Sequence, residues 1–317
     1  PKIIMSKIPL SAPVIMGNEW DYIKDCLDTS WVSSAGNYVD RFEESISSYT
    51  GSKYAIACVN GTSALQLSLS LVGVRSGDEV IVPCLTFIAP INAVRYLDAN
   101  PIFFDCDKYF NIDVEKTIDF IKNETFFKNG FTKNKLTKKK ISAIMPVHVW
   151  GNASNIKELI KICNDRNIAI VEDASESLGT FYKDSYLKGS HTGTIGKIGC
   201  ISFNGNKIIT TGGGGMILTD NFKIAEKARY LSTQAKDDPI KYIHNEIGYN
   251  FRLTNLQAAM GLAQTEKLNI FLENKRKIHS YYQSLLKNID GLKISDVPSY
   301  ANNNFWLNIL KIDEKII

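Results

Sequence analysis

The 317 residues hold 37 lysines and arginines against 33 acidic residues, a formal net charge of +4, with 44% hydrophobic and 22% charged residues. These proportions fit an ordinary globular chain and speak against disordered and membrane classes. Apolar runs such as "AIMPVHVW" stop far short of the roughly 20 residues of a bilayer-spanning helix, and no signal peptide is recognised.

The length accommodates one large domain and a smaller one. Six cysteines (Cys26, Cys58, Cys84, Cys106, Cys163, Cys200) are scattered singly without CxxC spacing. That pattern points to a reducing, cytoplasmic setting and argues against a disulfide framework or a metal site.

In chain order, short runs rich in Ile, Val and Phe alternate with segments of helical period. "KYAIACVN", "DEVIVPCLTF", "PIFFD", "ISAIMPVHVW", "IAIVEDA" and "GCISFN" read as strands, and helices are expected at about 62–72, 89–98, 114–123 and 154–166. Strands buried on both faces predict a mostly parallel sheet covered by helices, an α/β fold. The basic run "KNKLTKKK" at 133–140 lacks any aromatic platform and reads as a solvated loop, so no nucleic-acid partner is expected.

Beyond Asn221 the period is mainly helical, with one long helix expected from about Thr254 to Lys277. The cofactor-bearing domain is expected over 1–250, and the long helix with the start of a smaller domain over 251–317. "NFWLNILKIDEKII" reads as a lone strand with no partner after it, so a further C-terminal portion is expected beyond this sequence.

Ligands of such sheets lie at the carboxyl ends of the strands, which here present Asn60-Gly61-Thr62-Ser63, Thr86-Phe87, His148, Glu172-Asp173, Ser202 and Lys207. "TGGGGM" has no P-loop spacing, and no GxGxxG follows the first strand. "NGTSAL" suits phosphate, because a glycine turn opens a helix N-terminus, but Thr62 or Ser63 as a plain N-cap fits equally well.

Asp173 reads either as a surface turn or as an acid that keeps a pyridinium nitrogen protonated. Lys207 reads either as a loop cation or as a Schiff-base lysine, the latter favoured by its small, hydroxyl-bearing neighbours. A lone His148 at a strand end is taken as a packed residue, and all four histidines are left out of the chemistry.

"WVSSAG", "NGTSALQLSL", "VPCLTFIAPINAV", "PVHVWGN", "VEDASESLG", "SFNGNKIITTGGGGM" and "GYNFRLTNLQAAMGL", in that order from about residue 8 to 275, together resemble the DegT-type (DegT/DnrJ/StrS) sugar aminotransferases. The resemblance implies pyridoxal-phosphate fold type I, as in aspartate aminotransferase, with pyridoxal 5'-phosphate as cofactor. It places Lys207 as the Schiff-base and proton-shuttling residue and Asp173 on the pyridine nitrogen. Phe87 is placed on the ring face, and Gly61, Thr62, Ser63 and Ser202 at the phosphate. Asn250 would reach the phosphate of a neighbouring subunit, which implies a homodimer with shared sites. Trp31, Ser33 and Ser34 are expected at the sugar.

Two departures from the family pattern stand out. Glu176 replaces a common glutamine beside the cofactor's phenolic oxygen. Thr211-Gly212-Gly213-Gly214-Gly215 replaces TGEGG, for which a looser loop is expected. Related dehydratases carry histidine where Lys207 stands, so the resemblance implies transamination from L-glutamate to a nucleotide-linked 4-keto-6-deoxy sugar. A UDP-linked N-acetylhexosamine derivative of the bacillosamine or legionaminic type is the first expectation. A GDP-linked substrate, as in perosamine synthesis, is the alternative, and a non-catalytic cofactor-binding regulator a further one.

Overall fold

A computed structural model describes residues 9–238 and 240–316. Its central sheet is built from β1 (Tyr54–Cys58), β2 (Glu79–Pro83), β3 (Asn100–Phe104), β4 (Ile141–Ile144), β5 (Ala169–Asp173), β6 (Ile198–Ser202) and β7 (Gly215–Thr219). The spatial order is β1-β7-β6-β5-β4-β2-β3. β7 runs antiparallel to both β1 and β6, and the other pairs are parallel.

Nine α-helices occur among the described residues: α1 (Glu19–Asp28), α2 (Asn37–Thr50), α3 (Gly61–Leu71), α4 (Ile88–Arg95), α5 (Val114–Asn123), α6 (Lys157–Asp165), α7 (Phe222–Ser232), α8 (Asn255–Glu266) and α9 (Leu268–Leu286). Successive side chains on a strand face opposite ways, and both faces are covered. Ala55, Ala57, Met216 and Leu218 join the core beneath α2 and α8, while Ile56, Cys58 and Ile217 join the core beneath α3 and α7. Farther along the sheet, Ile81, Ile144 and Ile170 pack with Ile121, Leu159 and Cys163 of α5 and α6. The α/β class and the mostly parallel sheet are as expected, and the four early helices lie where the periodicity puts them.

Four features differ from the sequence reading. β7 was not anticipated, because its apolar residues follow a glycine run and so have no polar boundary of their own. The long helix is two: α8 and α9 meet at Lys267 (φ −105°, ψ 0°), whose N–H reaches the Gln264 carbonyl at 3.1 Å, a tightened turn that ends the α-helical ladder. The basic run is partly structured, since Thr125–Lys128 and Phe131–Asn134 form a hairpin. Its turn has Asn129 at φ 53° and Gly130 at φ 79°, the Asn-Gly pattern that matches hairpin twist. Buried Asn134 bonds Glu79 Oε2 at 3.0 Å. Finally, Leu310–Ile312 is not alone, for it pairs antiparallel with the preceding segment Leu292–Ile294. No helix among the described residues is long and apolar enough to cross a membrane.

Candidate active site

The carboxyl ends of β1, β2, β5 and β6 open onto a pocket of about 280 Å³ lined by Gly61, Thr62, Thr86, Phe87, Asp173, Ser175, Glu176, Ser202, Lys207 and Trp306, among others. A larger recess of about 550 Å³ lies at the opposite strand ends, beside Lys140, Ser142 and Lys197. It gathers no nucleophile beside an acid. The chemistry, not the volume, selects the smaller pocket.

The turn from β1 into α3 forms one end of the site. Asn60 caps the helix, its Oδ1 accepting the Ser63 N–H at 2.8 Å. The remaining first-turn N–H groups of a helix have no partner within it and carry its positive dipole end. Gly61 is required by close approach, since a Cβ there would sit 3.0 Å from Ser202 Cβ and 3.4 Å from Ser175 Oγ. Two hydroxyls, a glycine turn and a helix N-terminus thus converge, as an anion site needs. Thr86 adds a buried Oγ1 with no hydrogen-bond partner in the structure, an orphan that a bound polar group would satisfy.

Asp173 ends β5, 4% exposed, and its Oδ1 accepts the Ser175 N–H at 3.0 Å. Burial pushes its carboxyl above the ordinary value, an effect only partly offset by Ser175 and by the charge of Lys207. A buried acid of this kind gains from a cation placed against it, and a protonated pyridine nitrogen is one.

Lys207 lies in the loop after β6, its N–H bonded to the Asn204 carbonyl at 3.0 Å. Its Nζ stands 3.6 Å from Glu176 Oε1 and 4.0 Å from the centroid of the Trp306 ring. Glu176 Oε2 accepts the Trp150 N–H at 2.7 Å. Burial raises the Glu176 carboxyl too, against the lowering pull of Lys207 and of the Trp150 N–H.

Gly213 and Gly214 of the glycine run line the pocket. Gly212 and Gly214 take positive φ, and a Cβ on Gly215 would lie 2.6 Å from the Asn60 carbonyl carbon, so the run lets β7 close against the Asn60-Gly61 turn. The expected looseness is not found. Thr210 Oγ1 donates to the Phe203 carbonyl at 3.1 Å, the Gly212 N–H donates to Thr210 Oγ1 at 2.8 Å, and Gln257 Nε2 holds the Gly213 carbonyl at 3.1 Å.

Of the residues singled out in the sequence, Gly61, Thr62, Phe87, Asp173, Glu176, Ser202 and Lys207 line this one pocket. Phe87 is 72% exposed at its mouth. Ser63 is buried behind it. Trp31, Ser33 and Ser34 lie in the α1–α2 connection, pinned to α8 by bonds from Asn255 to the Trp31 and Ser33 carbonyls (2.7 and 2.6 Å), and do not line the pocket. Asn250 bridges to Thr233 outside the pocket of its own chain. α8 is capped by Thr254, in a capping box with Gln257.

Sequence reasoning missed Ser175, Asn204, Asn206 and Trp306. Trp306 sits in a segment that reads as a strand, and the asparagines before it are the only local sign of something else. His148 is a packed residue, as expected. Its Nδ1 accepts the Ser154 N–H at 3.0 Å, so Nε2 carries the proton and donates to Glu172 at 2.9 Å. Among the described residues no cluster of three metal-ligating side chains occurs.

The sequence matches the DegT/DnrJ/EryC1/StrS aminotransferase family over residues 13–316. It is 37% identical over 313 residues to the GDP-perosamine synthase of Caulobacter vibrioides, covering 98% of this chain and 78% of that one. It is 38% identical over 304 residues to the GDP-perosamine synthase of Escherichia coli O157:H7, covering 96% and 77%. A solved DegT/DnrJ/EryC1/StrS aminotransferase from Brucella abortus superposes with a TM-score of 0.84 at 26% identity, covering 94% and 76%. With this fold, these relatives and a pocket whose residues fit pyridoxal phosphate, the chain belongs to the DegT/DnrJ/EryC1/StrS family of pyridoxal-phosphate-dependent sugar aminotransferases.

Proposed function

We propose that this chain moves the amino group of L-glutamate to the 4-keto carbon of a GDP-linked 4-keto-6-deoxy sugar. The observation that carries this reading is the identity of 37% and 38%, over nearly the whole chain, to two GDP-perosamine synthases. It favours the GDP-linked alternative over the UDP-linked N-acetylhexosamine that the motifs bring to mind first.

Bound pyridoxal phosphate supplies an electrophilic carbonyl and an electron-accepting ring. Lys207 would hold it covalently and would carry the proton to and from the reacting carbon. Asp173 would keep the ring nitrogen protonated through its buried negative charge. Gly61, Thr62 and Ser202 would hold the phosphate end, with Ser63 bracing the turn from behind. Phe87 would cover the ring face and limit water at the mouth.

Asn250 and the Trp31 to Ser34 segment act across a subunit interface or at the sugar, in a homodimer whose sites are shared. None of these residues lines the pocket of its own chain.

Side-by-side assays of GDP- and UDP-linked 4-keto-6-deoxy sugars with glutamate test the substrate. Turnover of the GDP sugar, with the UDP sugar poorer by about 10²-fold or more in kcat/KM, is expected, since a site built to pair with one base leaves groups unpaired with the other. Preference for the UDP sugar would return the first expectation.

A further inference from the structure

We propose that Glu176 and Trp306 form a seat for the Lys207 ammonium, holding the amine within reach of the cofactor during the interval when it is not attached. The proposal rests on the reading of Lys207 as the cofactor-holding residue. On that reading the donor's amino group would take the place of Lys207, and the released side chain would have to stay near if it is to return.

Two surfaces meet the amine. Nζ lies over the indole face, 4.0 Å from the ring centroid, with Glu176 Oε1 at 3.6 Å. The lysine side chain is 13% exposed and that of Glu176 is 11%. A cation on an aromatic face is attracted by the negative face of the ring, and more strongly where water is scarce.

Both partners are themselves locked. Glu176 Oε2 takes the Trp150 N–H, and Trp150 holds φ 54° and ψ 23°, a left-handed conformation that a bulky residue adopts only when its surroundings impose it. The indole Nε1–H of Trp306 donates to the carbonyl of Asn206, the residue just before Lys207, at 2.7 Å. The ring is therefore fastened to the same loop that carries the amine.

A single side chain couples the two. Asn304 Nδ2 donates to the backbone carbonyls of Glu176 and Leu178 at 2.9 and 3.0 Å, and its Oδ1 accepts the Trp306 N–H at 2.9 Å. Gly151 makes room for it, since a Cβ there would lie 1.9 Å from Asn304 Oδ1. The backbones that carry the carboxylate and the indole are thus tied to one side chain. They are positioning residues for Lys207.

The test uses cofactor-stripped full-length protein at one fixed pH. Trinitrobenzenesulfonate labels amines, and the Lys207 peptide is quantified by mass spectrometry. Glu176→Gln keeps an acceptor for the Trp150 N–H but removes the charge, and is expected to label at Lys207 about ten-fold faster. Trp306→Leu is expected to label it about three-fold faster. Labelling of the surface lysines should stay as in the wild type.

A spectroscopic arm does not depend on the folding of Trp306→Leu. The indole emission of Trp306, isolated as the difference between wild type and Trp306→Phe, is expected to shift when Lys207→Gln removes the cation. Equal Lys207 labelling in wild type and Glu176→Gln overturns the proposal, and so does a Trp306 emission indifferent to Lys207→Gln. Borohydride reduction of the loaded protein reports separately on the cofactor: a pyridoxyl adduct at another lysine refutes the role of Lys207 in transfer and leaves the ammonium seat standing.

Discussion

Glu172 and Asp173 are consecutive residues at the end of β5, both buried, and they live in opposite environments. Glu172 turns to the side of the sheet where His148 Nε2 and the N–H groups of Gly193, Ile195 and Gly196 all donate to it, at 2.9, 2.9, 2.7 and 2.5 Å. Burial alone would raise its carboxyl, but His148 and those backbone donors together bring it below the ordinary value. Asp173 turns to the pocket with far fewer donors, and burial wins there. One acid is saturated and the other is left with unmet demand for positive charge. A carboxylate that structure has already satisfied has little left to offer a ligand, whereas an unsatisfied one is poised to receive it.

The sharpest break of this contrast comes from the nucleophile that faces Asp173. Lys207→Ala should lose turnover by at least about 10³-fold, because on the proposed reading this residue both holds the cofactor and moves the proton. Steady-state kinetics and the absence of a borohydride-trapped adduct check it.

Asp173→Asn should lower kcat by about 10² to 10³-fold while leaving the folded state as stable as the wild type, or more so, near neutral pH. Glu172→Gln should do the reverse. Activity per folded molecule is largely kept, but unfolding in urea should become easier by about 3 kcal/mol, since an amide cannot accept from every donor that now surrounds the carboxylate.

The pH dependence separates the two acids by sign. For Glu172 the folded value lies below the unfolded 4.5, so its contribution is present above pH 4.5 and is lost as pH falls through the folded value. For Asp173 the folded value lies above 3.8, so its contribution is present below that pH and lost as pH rises through the folded value. The stability gap between wild type and Glu172→Gln should therefore close on acidification, and the gap favouring Asp173→Asn should open on raising the pH. Urea midpoints measured across the acid range decide it.

The smallest effect is expected at the pocket mouth. Phe87→Ala should weaken cofactor affinity by about 1 kcal/mol through lost ring contact, with little change in thermal stability because the ring is already 72% exposed. Equilibrium dialysis of the cofactor measures it.

Much of this was legible in the chain. Six of the seven sheet strands announce themselves as short β-branched runs, and the residues just beyond them, from Gly61 to Lys207, do gather at one edge. Local pattern carries that information because strand direction fixes where strand ends go. It does not carry the antiparallel β7, whose apolar stretch merges with glycines. Nor does it carry the turn at Lys267, which interrupts an unbroken helical period. Trp306 was illegible for a different reason: its place over Lys207 depends on Asn304 and Gly151, contacts between residues more than 100 positions apart. The separate fates of Glu172 and Asp173 could be expected from alternation along a strand, but which face held the donors could not.

The placement of β7 has a consequence for how the molecule comes into being. In the central sheet β1 has one neighbour, and that neighbour is β7, whose residues follow those of β1 by roughly 160 positions. Until the later strand slots in beside it, the earlier one has no ladder to join, and the turn that would grip a phosphate has nothing to press against. Closing so long a loop is entropically costly and slow. A ribosome-bound chain emerging from its first strand onward therefore has no grip on the vitamin-derived ligand, which can reward only an almost finished fold.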